Sequence, residues 1–148
     1  MKIFVAADHN GFRMKERVEE YLRERGFEVM DVGNEELDPE DDFPTFARAA
    51  VLGILSSGDD SRAVLVCGGG QGMAMMANRF KGIRAAVVWD STEARMSRND
   101  NDSNVLCLPA RVLEGNEVLW KDIIDTWIEA PFAAAPRYVR RNQRLDEV

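Results

Sequence analysis

The chain has only two cysteines, far apart at 67 and 107, and a single histidine. Two separated thiols exclude a disulfide framework, and no His/Cys cluster has the spacing of a metal site. No apolar run approaches the ~18 residues of a membrane span, and no charged-then-apolar leader opens the sequence. These absences lead us to expect a reduced, cytoplasmic protein with no membrane partner. Basic residues are in deficit too: 19 Lys and Arg against 26 Asp and Glu give a net charge of −7. Phosphate backbones select basic surfaces, so nucleic acid is excluded as a general partner. Two nucleotide signatures also fail. Gly68-x-Gly70 is followed by Met73 and Gly70-x-Gly72 by Met75, where the dinucleotide fingerprint needs glycine, and no Gly-Lys-Ser/Thr closes a P-loop.

What is present is one domain, residues 1–148, long enough to bury about 68–70% of its unfolded surface without staples. Lys2 to Ala7 reads as a strand, Asp8 to Gly11 as a turn, and Met14, Val18, Tyr21 and Leu22 as the apolar face of a helix that Gly26 stops. Further strands are predicted at 27–32, 63–67, 84–88 and 104–108. Helices are predicted from Pro44, over 73–80 and 91–98, and over 114–129, whose two apolar rows imply burial over a wide arc. Strict alternation of strand and helix requires right-handed crossovers. The expected fold is therefore α/β, a three-layer αβα sandwich on a Rossmann-like five-stranded parallel sheet. Ligands in such sheets bind beyond the carboxyl ends of the strands.

That rule gathers Asp8 and His9, Cys67 with its glycines, Asp90 and Ser91, and Pro109 to Arg111. Ala63 to Gly72 is the most informative stretch, an apolar strand ending in a thiol and then in Gly68, Gly69, Gly70 and Gly72. Such a loop can bring backbone amides against an anion, and the helix that follows adds the positive end of its dipole. Cys67 alone has two readings: a core position closing a strand, or a thiol whose anion that field stabilises. Cys107, without such a loop, is assigned to packing. Arg137, Arg140, Arg141 and Arg144 share one helical face, either a solvated tail or a forked recognition surface for phosphate or carboxylate. The polar run Ser97 to Asn104 precedes the last strand and belongs at the opposite, amino end of the sheet.

Taken together, these residues resemble the type B ribose 5-phosphate isomerases, a family that includes the galactose 6-phosphate isomerase subunits. The matching motifs span the chain: Asp8-His9-x-Gly11-Phe12-x-x-Lys15, Asp42-x-Pro44, Cys67-Gly68-x-Gly70-x-Gly72-Met73, Ala77 to Ala85, Ser97-Arg98, Asn101-Asp102-x-Asn104 and Arg137-x-x-x-Arg141. The resemblance implies an aldose-ketose isomerase acting on a sugar phosphate without metal or cofactor, through an enediolate. It makes Cys67 the base and the amides from Gly68 to Met73 the oxyanion cradle. It gives Asp8 and Asn101 sugar contacts, and sets His9, Arg111, Arg137 and Arg141 around the phosphate. It also implies a homodimer or homotetramer with shared active sites, in which the basic segment 136–148 reaches a neighbouring subunit.

The chain departs from that pattern at four places. Gly69 stands where the family has threonine, Asp100 where it has the ring-opening histidine, Phe43 for tyrosine and Tyr138 for histidine. Ribose 5-phosphate is the first expectation. Either Asp100 takes over ring opening, or the substrate needs none. A tetrose 4-phosphate meets the second condition, since its O4 is phosphorylated and cannot close a furanose. A hexose 6-phosphate, or a non-catalytic sugar-phosphate-binding subunit, completes the alternatives.

Overall fold

The computed structural model describes residues 1–58 and 60–148. In chain order the elements are β1 (Lys2–Ala7), α1 (Phe12–Glu24), β2 (Glu28–Asp31), α2 (Phe43–Ser57), β3 (Ser61–Cys67), α3 (Gln71–Ala77), β4 (Ala85–Val87), α4 (Ser91–Asn101), β5 (Val105–Pro109), α5 (Ala110–Leu113), α6 (Glu117–Glu129) and α7 (Pro136–Leu145). The five strands pair in the order β2-β1-β3-β5-β4, and every pairing is parallel. Side chains alternate across the sheet as the period of two demands. Ile3, Val5, Ala7, Val64 and Val66 face α1, α4 and α6, while Phe4, Ala6, Ala63, Leu65 and Cys67 face α2 and α3. The three-layer expectation is met. No helix among the described residues is long and apolar enough to cross a membrane.

Element ends differ from the sequence reading where distant partners set them. The helix expected over 73–80 runs from Gln71 to Ala77. Its early stop has a cause: Asn78 Nδ2 donates to the carbonyl of Ala85, and Asn78 Oδ1 accepts from the Ala85 amide, tying the chain to β4. The helix expected to end at 98 continues to Asn101, because Asp102 takes a left-handed conformation, φ 47°, and its carboxylate binds Arg98 and Arg84. The helix expected over 114–129 begins late: α6 starts only after Asn116, whose side chain caps it by accepting from the Leu119 amide, and the short α5 lies before it.

Two large side chains anchor the α6 layer. Trp120 and Trp127 are fully buried, and Trp127 Nε1 donates to Ser103 Oγ at 2.8 Å, joining α6 to the turn before β5. At the other end, α1 begins against the sheet backbone itself. A Cβ on Gly11 would lie 2.3 Å from the carbonyl oxygen of Val66, so only glycine lets α1 start there. Gly11→Ala is expected to lower unfolding free energy in urea by about 2 kcal/mol or more. Gly115→Ala is the control: its Cβ meets nothing within 4 Å, and the change should stay under about 0.5 kcal/mol.

Candidate active site

The order of the strands reverses at β1 and β3, so the crevice beyond their carboxyl ends is the switch point of this sheet. Ala7 pairs with Val66, which places Asp8 and His9 beside Cys67 as the two chains leave the sheet. Asp8 is buried, and its Oδ1 accepts from the amides of Asn10 and Gly11 at 2.9 and 3.2 Å, closing the turn into α1. One carboxylate oxygen therefore shapes the loop. His9 is partly exposed, and its Nδ1 lies 2.7 Å from Asp41 Oδ1.

Across the crevice, Cys67 is 6% exposed and faces the glycine loop. Gly70 has φ +70°, a left-handed conformation that turns its amide inward to donate to Cys67 Sγ at 3.1 Å. The first intrahelical bond of α3 runs from the Ala74 amide to the Gly70 carbonyl, so the amides of Gln71, Gly72 and Met73 have no acceptor within the helix. The Met73 side chain is buried in the core, leaving only its backbone for a ligand. Cys107 is fully buried, and burial pushes its thiol pKa far up, in keeping with a packing role.

Arg111 completes this side. Its amide donates to the Gly68 carbonyl at 3.1 Å, and its guanidinium lies over the loop. A Cβ on Gly69 would sit 2.8 Å from Arg111 Nη2, so a side chain at this position must displace the cation. Phe43 lies likewise against Gly72, its ring 2.8 Å from where a Cβ would stand. Gly68, Gly69, Arg111 and the half-exposed Trp89 border a shallow cavity of about 460 Å³.

The remaining predicted residues lie elsewhere in the chain. Asp100 and Asn101 end α4 at the amino side of the sheet, where Arg84 Nε donates to the Asn101 carbonyl and Asn142 of α7 to that of Asp100. Arg137 and Arg141 are exposed on α7, whose end is held there by the bond from the Gly82 amide to Asp146 Oδ1. One chain thus brings together Asp8, His9, Cys67, the glycines, Met73 and Arg111, and does not bring Asp100, Asn101, Arg137 or Arg141 to them. Sequence reasoning missed Asp41, one acid among several between the strand predicted at 27–32 and the helix predicted from Pro44, in a stretch assigned to no element. Trp89 was missed too; its place two residues beyond the end of β4 was the available signal.

A parallel α/β sheet that gathers a thiol, an imidazole, a guanidinium and free amides at its switch point belongs to the small-molecule enzymes. The chain belongs, more particularly, to the ribose/galactose isomerase family, whose model it matches over residues 3–147. It is similar to the ribose 5-phosphate isomerase of Thermotoga maritima, with 40% identity, TM-score 0.93 and coverage of 99% of this chain and 98% of that one. The ribose 5-phosphate isomerase B of Mycoplasma genitalium, solved with bound ribulose 5-phosphate, is 33% identical with TM-score 0.92 over 99% of this chain and 94% of that one. A Clostridium 4-deoxy-4-sulfo-D-erythrose isomerase is 36% identical over 133 residues, 89% of this chain and 81% of that protein.

The two thiols should differ in reactivity. Iodoacetamide on the native protein should modify Cys67 and leave Cys107 unmodified until unfolding, as read by peptide mass spectrometry.

Proposed function

We propose that this protein interconverts ribose 5-phosphate and ribulose 5-phosphate, with Cys67 as the base. The observation that carries the reading is the Gly70 amide aimed at Cys67 Sγ, on a loop crossed by the Arg111 guanidinium and flanked by His9. In the open-chain aldose, the Cys67 thiolate removes the proton on C2, and the electrons move through a C1–C2 double bond onto the carbonyl oxygen. The amides between Gly68 and Met73, other than that of Gly70, which is held by the sulfur, bind that oxyanion, donors worth about 3–4 kcal/mol each in related chemistry. The thiol then returns the proton to C1 as the hydroxyl proton passes from O2 to O1, giving the ketose. Asp8, through its free Oδ2, contacts the sugar, and His9 and Arg111 hold the phosphate.

The rest of the site comes from a second copy. Asn101, Asp100, Arg137 and Arg141 lie at the amino end of their own sheet, exposed or partly so, and a homodimer or homotetramer that sets this end against a neighbour's switch point completes each site. The segment 136–148 is then the arm that crosses over. Asp100 is the ring-opening group for a pentose. Both thiols are free and buried, which suits a reducing cytoplasm.

A tetrose 4-phosphate is the second reading. It is favoured by the missing imidazole at Asp100, by Gly69 giving Arg111 room over the loop, and by likeness to an isomerase named for a four-carbon aldose carrying an anionic group on carbon 4. Turnover of ribose, erythrose, allose and galactose phosphates by the purified protein separates these readings. Preference for the tetrose displaces ribose 5-phosphate, and turnover of none leaves a binding subunit. Cys67→Ser should lower kcat by about 10²–10⁴-fold with KM nearly unchanged. Mixing Cys67→Ser and Arg141→Ala subunits should restore up to about a quarter of wild-type activity, since about half the pairs carry one intact site of two.

A further inference from the structure

Asp41 has no part in the reaction above, yet it is the most heavily engaged carboxylate at the switch point. Its side chain is 5% exposed. Oδ1 accepts from the His9 amide at 3.0 Å and faces His9 Nδ1 at 2.7 Å, while Oδ2 accepts from Asn34 Nδ2 at 2.9 Å. Asn34 is itself held, because its carbonyl accepts from Lys15 Nζ at 3.0 Å, and that buried ammonium is paired with Asp31. The β2–α2 loop is thereby fastened to the β1–α1 loop through one imidazole. His9 Nε2 has no partner among the described residues and is the only ring nitrogen left to meet a ligand.

We propose that Asp41 is a positioning residue that clamps His9 through Nδ1 and presents Nε2–H of an imidazolium to the phosphate of the substrate. This rests on the assignment of His9 to the phosphate. Charge around the ring agrees with it. The hydrogen bond to Asp41 raises the His9 pKa above the ordinary 6.5, with Asp8 on its own loop and Glu40 and Asp41 on the facing loop adding to the rise against partial desolvation. Lys15 is committed to Asp31, and Arg111 lies over the glycine loop. The sign follows: the cation is present below the raised pKa, and its hold on an anion is lost as pH rises through it.

His9 is the only histidine, so its ring titration is read without ambiguity by NMR. The wild-type midpoint should lie above 6.5, and above that midpoint the neutral ring should be the Nδ1–H tautomer. Asp41→Asn should lower the midpoint, Glu40→Gln should lower it less, and Asp41→Glu should recover part of it. Inorganic phosphate binding, followed by calorimetry against pH, should weaken at the same midpoint and move with it in Asp41→Asn. KM for the sugar phosphate should rise about tenfold at pH 7.5, with a smaller change in kcat. An unmoved midpoint in Asp41→Asn, or a neutral Nε2–H tautomer in the wild type, which needs no variant, overturns the proposal. Loss of turnover on every sugar phosphate with the NMR results intact overturns the isomerase reading instead.

Discussion

The register between β1 and β3 is the constraint on which the site depends. Six consecutive pairings run from Lys2 with Ser61 to Ala7 with Val66, so the two chains leave the sheet side by side. Parallel neighbours are about 4.8 Å apart, and a shift of one residue would turn every inward side chain outward. Cys67 faces α3 because it continues the Ala63, Leu65 alternation, and Asp8 stands next to it because it follows Ala7. The approach of Gly11 to the Val66 carbonyl locks this arrangement from above, since α1 rests on the strand that carries the thiol. The chemistry is a property of two strand ends held at one height.

The parts of this molecule that are local in cause were legible in the sequence. Alternating strands, the stop at Gly26, Pro44 in the first turn of α2 and the glycine loop after Cys67 each depend on neighbours within a few residues. The rest is determined at a distance. The ends of α3 and α4 follow from Asn78 reaching Ala85 and from Asp102 reaching Arg84, contacts that no periodicity encodes. Asp41 was hidden for the same reason. Thirty-two residues separate it from His9, and in composition it is one more acid in an acidic loop.

The chemistry the family pattern attributes to one site is divided between the two ends of this chain's sheet. At the carboxyl end are the thiol, the amides and the imidazole; at the amino end are the amide of Asn101 and the arginines of α7. α7 is held there through Asn142 and Asp146 and offers its basic face outward, in a protein whose overall charge is negative. The proposed crossover to a neighbouring subunit would use this face. On that reading, its position opposite the thiol leaves an isolated chain with two incomplete halves rather than one weak whole.

Gly69 stores information by omission. The Arg111 guanidinium rests where a side chain at that position would stand, so the missing Cβ is what lets this cation lie against the loop that leaves the thiol. A side chain there would push the guanidinium outward and lengthen the span between the two. The reach from thiol to cation is thus set by a position that has no side chain of its own.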